Sequence, residues 1–330
     1  MENIPSLKKI YEDYFTIGSA VSTETITRHQ DLLKKHFNSL TAENEMKFEH
    51  IQPEEGVFTF ERGDQLVQFA KEHHMQMRGH TLVWHNQTPD WVFKNRQGEK
   101  ASREELLSRM KAHIFTVMER YKGKIGCWDV VNESIADEGG RLLRESSWLE
   151  IIGENFVEKA FQFAHQADPN AKLFYNDYNE SHPEKREKIY TLVKSLVDKN
   201  IPIHGIGLQG HWNIAEPSIE HIHMAIEKYA ALGLEIHFTE LDVSVFEWDD
   251  KRTNITAPTE RMLEQQAKRF EEMFTLFRDY RSVITNITFW GTADDYTWLD
   301  DFPIKGRKNW PFLFDEYHRP KASFYKVVDF

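Results

Sequence analysis

The chain reads as a (β/α)₈ barrel of parallel strands wrapped by helices, a single domain spanning residues 1–330. Three observations predict it. The 330 residues fall inside the roughly 200 to over 400 that one such barrel occupies. Short β-rich runs alternate with longer helical patterns, with no Ser/Gly-rich, Pro-rich or low-complexity linker between them. Finally, polar clusters begin repeatedly where an apolar strand pattern stops, as expected where barrel loops converge on one face.

The strand candidates, in order, are Phe15 to Ala20, Ser39 to Ala42, Met77 to Val83, Ile125 to Val131, Lys172 to Tyr175, Gly205 to Gln209, Glu235 to Thr239 and Thr285 to Trp290. A helical segment is expected after each. The clearest helices are Phe60 to His73, Arg103 to Tyr121, Trp148 to Ala167, Pro183 to Asp198, Ile219 to Leu232 and Glu260 to Tyr280. Within Trp148 to Ala167, Ile152, Phe156, Ala160 and Phe163 recur at helical spacing and predict an inward face. Asp168-Pro169 and Gly233 mark helix ends.

Hydrophobic residues make up 40% and aromatic residues 13% of the chain, with 9 Trp and 23 Phe, enough for a substantial core. The formal net charge of -12 repels phosphate backbones and anionic membrane surfaces. A neutral substrate is therefore expected, with neither nucleic acid nor membrane as partner. Met1 to Ile10 contains no apolar run of leader length, and no later stretch approaches a membrane span. With the lone Cys127, expected to be a buried small residue, this predicts a cytoplasmic protein without disulfides. A monomer is the default expectation and a dimer stays open.

Two strand ends stand out. Trp128-Asp-Val-Val-Asn-Glu133 closes an apolar run with an amide and a carboxyl group, and Phe238-Thr-Glu-Leu-Asp242 does the same three strands later. Such placement is costly unless the groups have partners or chemistry to perform. Two carboxyl groups across a barrel mouth point to glycoside hydrolysis. Other signals fade on inspection. Gly205-x-Gly207-x-x-Gly210 spells a dinucleotide fingerprint but lies mostly inside a strand, so small residues packing in a barrel account for it. The 16 His include no H-E-x-x-H, and one cysteine builds no Cys₄ zinc site. The expectation is no metal and no cofactor. Asp249-Asp250 and Asp300-Asp301 read as solvated loops.

The runs W-D-V-V-N-E at 128 to 133 and T-E-L-D at 239 to 242 resemble the signatures of glycoside hydrolase family 10. T-A-E-N-E-M-K at 41 to 47, G-H-T-L-V-W-H at 79 to 85, L-Q-G-H at 208 to 211 and W-G-x-x-D-x-x-x-W from Trp290 to Trp298 match in order. The resemblance covers essentially the whole chain. It implies an endo-1,4-β-xylanase with a retaining mechanism, Glu133 as acid/base and Glu240 as nucleophile, their carboxyl groups about 5 to 5.5 Å apart. Like-charge repulsion from Glu240 is expected to keep Glu133 protonated. The same resemblance assigns Asn132 to the 2-hydroxyl of the reacting sugar, His211 backed by Asp242 to the orientation of Glu240, and Gln209 to the acid/base. Lys47 and His80 would hold the 3-hydroxyl, Glu43 and Asn44 the next sugar, and Trp84, Trp290 and Trp298 would offer apolar faces to pyranose rings. Trp128, Trp148 and Trp212 are expected in the core.

The implied partner is xylan or xylo-oligosaccharide, and with no binding module attached, imported oligosaccharides are the expected substrate. A related β-1,4-glycanase, an exo-acting β-xylosidase and a non-catalytic sugar-binding barrel are the rival readings. Both glutamates argue against the last.

Overall fold

The computed structural model describes residues 4–330. Met1 to Asn3, part of the amino-terminal run read above, lie outside the described residues. Nine strands form one parallel sheet: β1 (Thr16–Val21), β2 (Ser39–Ala42), β3 (Gln76–Trp84), β4 (Cys127–Asn132), β5 (Lys172–Asp177), β6 (Gly205–Leu208), β7 (His211–Asn213), β8 (Glu235–Ser244) and β9 (Ile284–Phe289). β1 pairs with both β2 and β9, and β6 pairs with β8, so the sheet closes on itself. β6 and β7 share one barrel position, interrupted at Gln209-Gly210, where Gly210 takes φ 75. The expected eight-stranded barrel is thus present.

Local signals set the helix ends. Ser102 Oγ accepts from Glu105 N at 3.2 Å and Glu105 Oε2 accepts from Ser102 N at 2.8 Å, a reciprocal cap that starts helix Arg103–Tyr121 where the sequence places it. Pro183 opens Pro183–Asp198 at the first helical turn. The predicted helix Trp148 to Ala167 is instead two, Ser147–Ile152 and Phe156–Ala167, because Gly153 adopts φ 91. Ile152 and Phe156 therefore belong to different helices. The buried stripe of the second comprises Phe156, Val157, Ala160, Phe161 and Ala164, while Phe163 is only half-buried. Cys127, expected in the core, is also half-buried, at the start of β4. Trp128, Trp148 and Trp212 are buried as expected.

The barrel interior contains charge as well as apolar packing. Arg78 and Asp129 are buried and joined by two hydrogen bonds, of 2.7 and 3.2 Å. Arg78 Nε donates to His237 Nδ1 at 3.1 Å. Burial alone would raise the Asp129 carboxyl, but Arg78 and His80 bring it down to about 2. At the amino-terminal end of the barrel Arg78 and His237 border a cavity of about 680 Å³, remote from the strand ends that carry the glutamates.

Three register shifts fall at the opposite end, between His80 and Val83 in β3, Asp129 and Val131 in β4, and Phe238 and Leu241 in β8. Bulges of this kind re-aim side chains, and these flank His80, Glu133 and Glu240. Gly205 and Gly207 of the fingerprint-like run are packing residues, whereas Gly210 serves the backbone turn at φ 75. A Cβ on Gly205 would lie 2.0 Å from the Phe174 ring, and one on Gly207 would lie 2.2 Å from Asn176 Oδ1. Gly205→Ala should therefore overpack the barrel and lower unfolding free energy by about 1 to 3 kcal/mol. Urea denaturation measures it; an unchanged midpoint would contradict this packing role.

Candidate active site

At the carboxyl ends of the strands lies a groove of about 710 Å³, in the size range of a ligand site. Every site residue expected from the sequence lines it except Asp242, which is fully buried behind His211. Tyr178, Asn179, Gln87, Trp248 and Phe302 join the lining.

Glu133 follows the last residue of β4 with φ 56, a left-handed conformation uncommon outside glycine. Its amide donates to Asn176 O at 2.9 Å. Trp84 Nε1 donates to Oε2 at 2.8 Å and Gln209 Nε2 to Oε1 at 2.9 Å. The Glu133 carboxyl is raised above its ordinary range, first by burial, then by the charges of Asp177 and Glu240, against the opposing hydrogen bonds from Gln209 and Trp84. The sequence reading gave the leading part to repulsion from Glu240. Desolvation leads instead: Glu133 is half-buried, with its carboxyl held against the Trp84 indole.

Glu240 lies within β8 and is 5% exposed. Asn176 Nδ2 donates to its Oε1 at 2.9 Å, and His211 Nε2 stands 3.0 Å from its Oε2. His80 Nε2 is 3.9 Å from Oε1. Burial alone would raise this carboxyl, but the His211 hydrogen bond and the electrostatic influence of His80, His211 and Lys47 hold it below its usual value. His211 is itself desolvated, which would lower its pKa. Asp242 Oδ2, 2.9 Å from Nδ1, and Glu240 overcome this and raise it to about 10. His211 is accordingly an imidazolium between two carboxylates. Trp298 Nε1 donates to the same Asp242 oxygen at 2.8 Å.

One amide connects the two glutamates. Asn132 Oδ1 accepts from Asn176 Nδ2 at 2.9 Å and from Gln209 Nε2 at 3.3 Å, so its own amide nitrogen is the group left to donate into the groove. Asn176 thus touches both Glu240 and Asn132, and Thr239 Oγ1 fixes it by donating to Oδ1 at 2.6 Å. Sequence reasoning assigned Asn176 no role. Its position matches that of Asn132 on the neighbouring strand, the signal that could have found it.

The outer part of the groove is organised around Lys47. Its Nζ donates to Asn44 Oδ1 at 2.9 Å and to Gln87 Oε1 at 2.8 Å, and lies 4.9 Å from the centre of the Trp84 ring. Burial lowers the lysine pKa, while Glu240, Glu43 and Glu133 favour its charge. Glu43 is raised, chiefly by burial, and is hydrogen-bonded to Tyr296. His80 is oriented by Asp129 Oδ2, 2.9 Å from Nδ1, and meets Trp290 edge-on with ring centres 5.4 Å apart. Trp298 stacks on Phe302 at 4.8 Å. The acidic loop pairs are occupied structurally: Asp250 by Arg252 and Asp300 by Lys308.

The model of Glycosyl hydrolase family 10 matches residues 6–330. An endo-1,4-β-xylanase of Geobacillus stearothermophilus is 59% identical over 327 residues, covering 99% of each chain. The crystal structure of xylanase XynB from Paenibacillus barcinonensis, complexed with a conduramine derivative, superposes with a TM-score of 0.98 at 55% identity and 99% coverage of both chains. That of an endo-1,4-β-xylanase from Caldicellulosiruptor owensensis gives 0.97 at 51%, covering 99% of this chain and all of the other.

The unequal environments are testable by titration. In Glu240→Gln the carboxyl pKa of Glu133, followed by carbon NMR, should fall yet stay above that of an exposed glutamate, since burial persists. A return to the exposed value would make charge repulsion the main cause. In the unaltered protein, nitrogen NMR should find both ring nitrogens of His211 protonated at pH 8, and Asp242→Asn should shift the ring toward the neutral form.

Proposed function

The chain belongs to glycosyl hydrolase family 10, and we propose that it is a retaining endo-1,4-β-xylanase with Glu133 as acid/base and Glu240 as nucleophile. The observation that carries this reading is the pair of glutamates with opposite displacements in one groove, Glu133 raised and Glu240 lowered. An acid must begin protonated and a nucleophile ionised, and these environments supply that difference near neutral pH.

In the first half-reaction the Glu133 proton passes to the glycosidic oxygen as a Glu240 oxygen attacks the anomeric carbon. The glycosidic C–O bond breaks, the shortened chain leaves with a new hydroxyl, and the sugar remains as an ester of Glu240. Esterification removes the Glu240 charge, which makes ionised Glu133 easier to maintain. Glu133 then takes a proton from water, which attacks the same carbon and releases Glu240. Two inversions leave the β configuration retained.

The surrounding side chains have separable tasks. His211, tied to Asp242, keeps Glu240 ionised and aimed. Gln209 and Trp84 hold the Glu133 carboxyl, one on each oxygen. Asn132 donates to the 2-hydroxyl of the reacting sugar, Lys47 and His80 approach its 3-hydroxyl, and Glu43 and Asn44 serve the next sugar. Trp290 and Trp298 form the apolar wall. Because Trp298 is tethered to Asp242 through its indole nitrogen and backed by Phe302, it resists displacement by a hydroxymethyl group, which favours xylose over glucose. Xylan and xylo-oligosaccharides are therefore the substrates, and the protein works as a cytoplasmic monomer on imported oligosaccharides. The single cysteine accords with a reducing compartment. Cell fractionation and light scattering test location and assembly.

Time-resolved NMR on xylotriose to xylohexaose, with cello-oligosaccharides in parallel, should show internal cleavage of the xylose series and the β anomer released first. An initial α anomer, or cleavage of cello-oligosaccharides alone, would refute the proposal. Glu240→Ala should abolish turnover while oligosaccharide binding survives. Glu133→Ala should lose about 10²- to 10⁴-fold in kcat/KM. The pH profile should be bell-shaped: activity falls as acid protonates Glu240, below the ordinary glutamate range, and as base deprotonates Glu133, above it.

A further inference from the structure

Outside the groove, three segments distant in sequence bring His29, Asp295 and His318 together, with one ligand atom from each lying within 4.8 Å of the others. His29 comes from the turn between helices Thr25–Arg28 and Gln30–His36, after β1. Asp295 belongs to the loop after β9 that also carries Tyr296 and Trp298, and His318 to a turn near the carboxyl terminus. His29 Nε2 is 2.9 and 3.1 Å from the two Asp295 oxygens, and His318 Nε2 is 3.5 Å from Oδ1. We propose that these side chains form a site for a divalent cation, best suited to Zn²⁺, which clamps the loop after β9 to the loop after β1.

The donor set is the first argument. Two imidazole nitrogens and a carboxylate are borderline ligands of the kind zinc takes, with water completing a tetrahedron. Tetrahedral bonds of 2.0 to 2.1 Å place ligand atoms about 3.3 Å apart, and the separations from Asp295 of 2.9 and 3.5 Å straddle that distance. The His29 and His318 donors lie within 4.8 Å of each other, and closing of the His318 ring toward His29 would bring the donors around one centre. The environment is the second argument. His29 is 1% exposed and, among the described residues, its Nδ1 has no hydrogen-bond partner, so the hydrogen bonds of this buried ring are those of Nε2 to Asp295 in the cluster. His318 is held at φ 62 in a turn whose neighbouring amides, Tyr317 N and Arg319 N, both donate to Asp315 Oδ1 at 2.8 Å. That turn presents the ring to Asp295 despite a backbone conformation uncommon for a non-glycine residue. The Asp295 and His318 side chains are 19% and 24% exposed, which leaves a water-accessible side for entry and for the remaining ligands.

A competitor is present. Arg28 Nη1 lies 3.6 Å from Asp295 Oδ2. The arginine is exposed and also paired with Glu24 one helical turn back, so it retains a carboxylate partner when a cation occupies Asp295. The site is separate from the hydrolytic residues, and its effect is structural. It would pin the segment that supplies Tyr296 to Glu43 and Trp298 to Asp242.

The test uses the full chain, stripped with a chelator and titrated with ZnCl₂ by calorimetry, with thermal unfolding in parallel. One equivalent should bind, with the melting temperature rising by a few degrees at about a hundredfold excess over Kd. His318→Ala, at a partly exposed turn, should weaken that binding by more than about tenfold, and His29→Gln should do the same. Should His29→Gln not fold, His318→Ala alone decides. No saturable uptake, or uptake that His318→Ala leaves unchanged, would reduce the trio to a hydrogen-bonded contact and overturn the site.

Discussion

A carboxylate removed from water must be met by donors and positive charge, or it takes up a proton. Glu240, at 5% exposure, is the groove carboxylate on which this constraint acts. Its partners reach it from different strands: Asn176 from β5, His211 from β7 and His80 from β3. Each has further support in turn. Thr239 fixes Asn176, Asp242 fixes His211, and Asp129, itself paired with Arg78, fixes His80. The barrel is the frame that lets strands distant in sequence aim at one oxygen pair, and the register shifts in β3, β4 and β8 provide the final adjustment.

That view explains the ion pair in the barrel core. A buried pair such as Arg78–Asp129 is poor evidence for stability, because desolvation offsets much of the attraction. Its contribution here is geometric. Asp129 must be ionised to accept from His80 and Arg78 together, and Arg78 helps keep it so. The result is a chain of polar side chains from His237, near the amino-terminal end, through Arg78, Asp129 and His80 toward Glu240.

Much of this was legible in the sequence, for identifiable reasons. Helices Arg103–Tyr121 and Pro183–Asp198 appear within their predicted bounds because a reciprocal cap and a leading proline are local signals. β8 was harder. It continues to Ser244, five residues beyond its predicted end, since Glu240 and Asp242 interrupt the apolar pattern without interrupting the strand. The break at Gly153 was hidden by a hydrophobic period that runs on through it. In the groove, residues inside recognisable motifs were found, whereas Asn176, Gln87 and Tyr296 were not assigned. They act through partners far away in sequence, and no spacing records that.

The backbone at Glu133 carries a consequence of its own. At φ 56 a residue with a β-carbon is strained by an amount that glycine would not feel. On the proposed mechanism, turnover and a rugged fold therefore pull this position in opposite directions. A lineage that abandoned hydrolysis and kept only sugar binding would be free to place glycine there and gain stability. Glutamate at such a backbone is what the proposed acid/base role calls for.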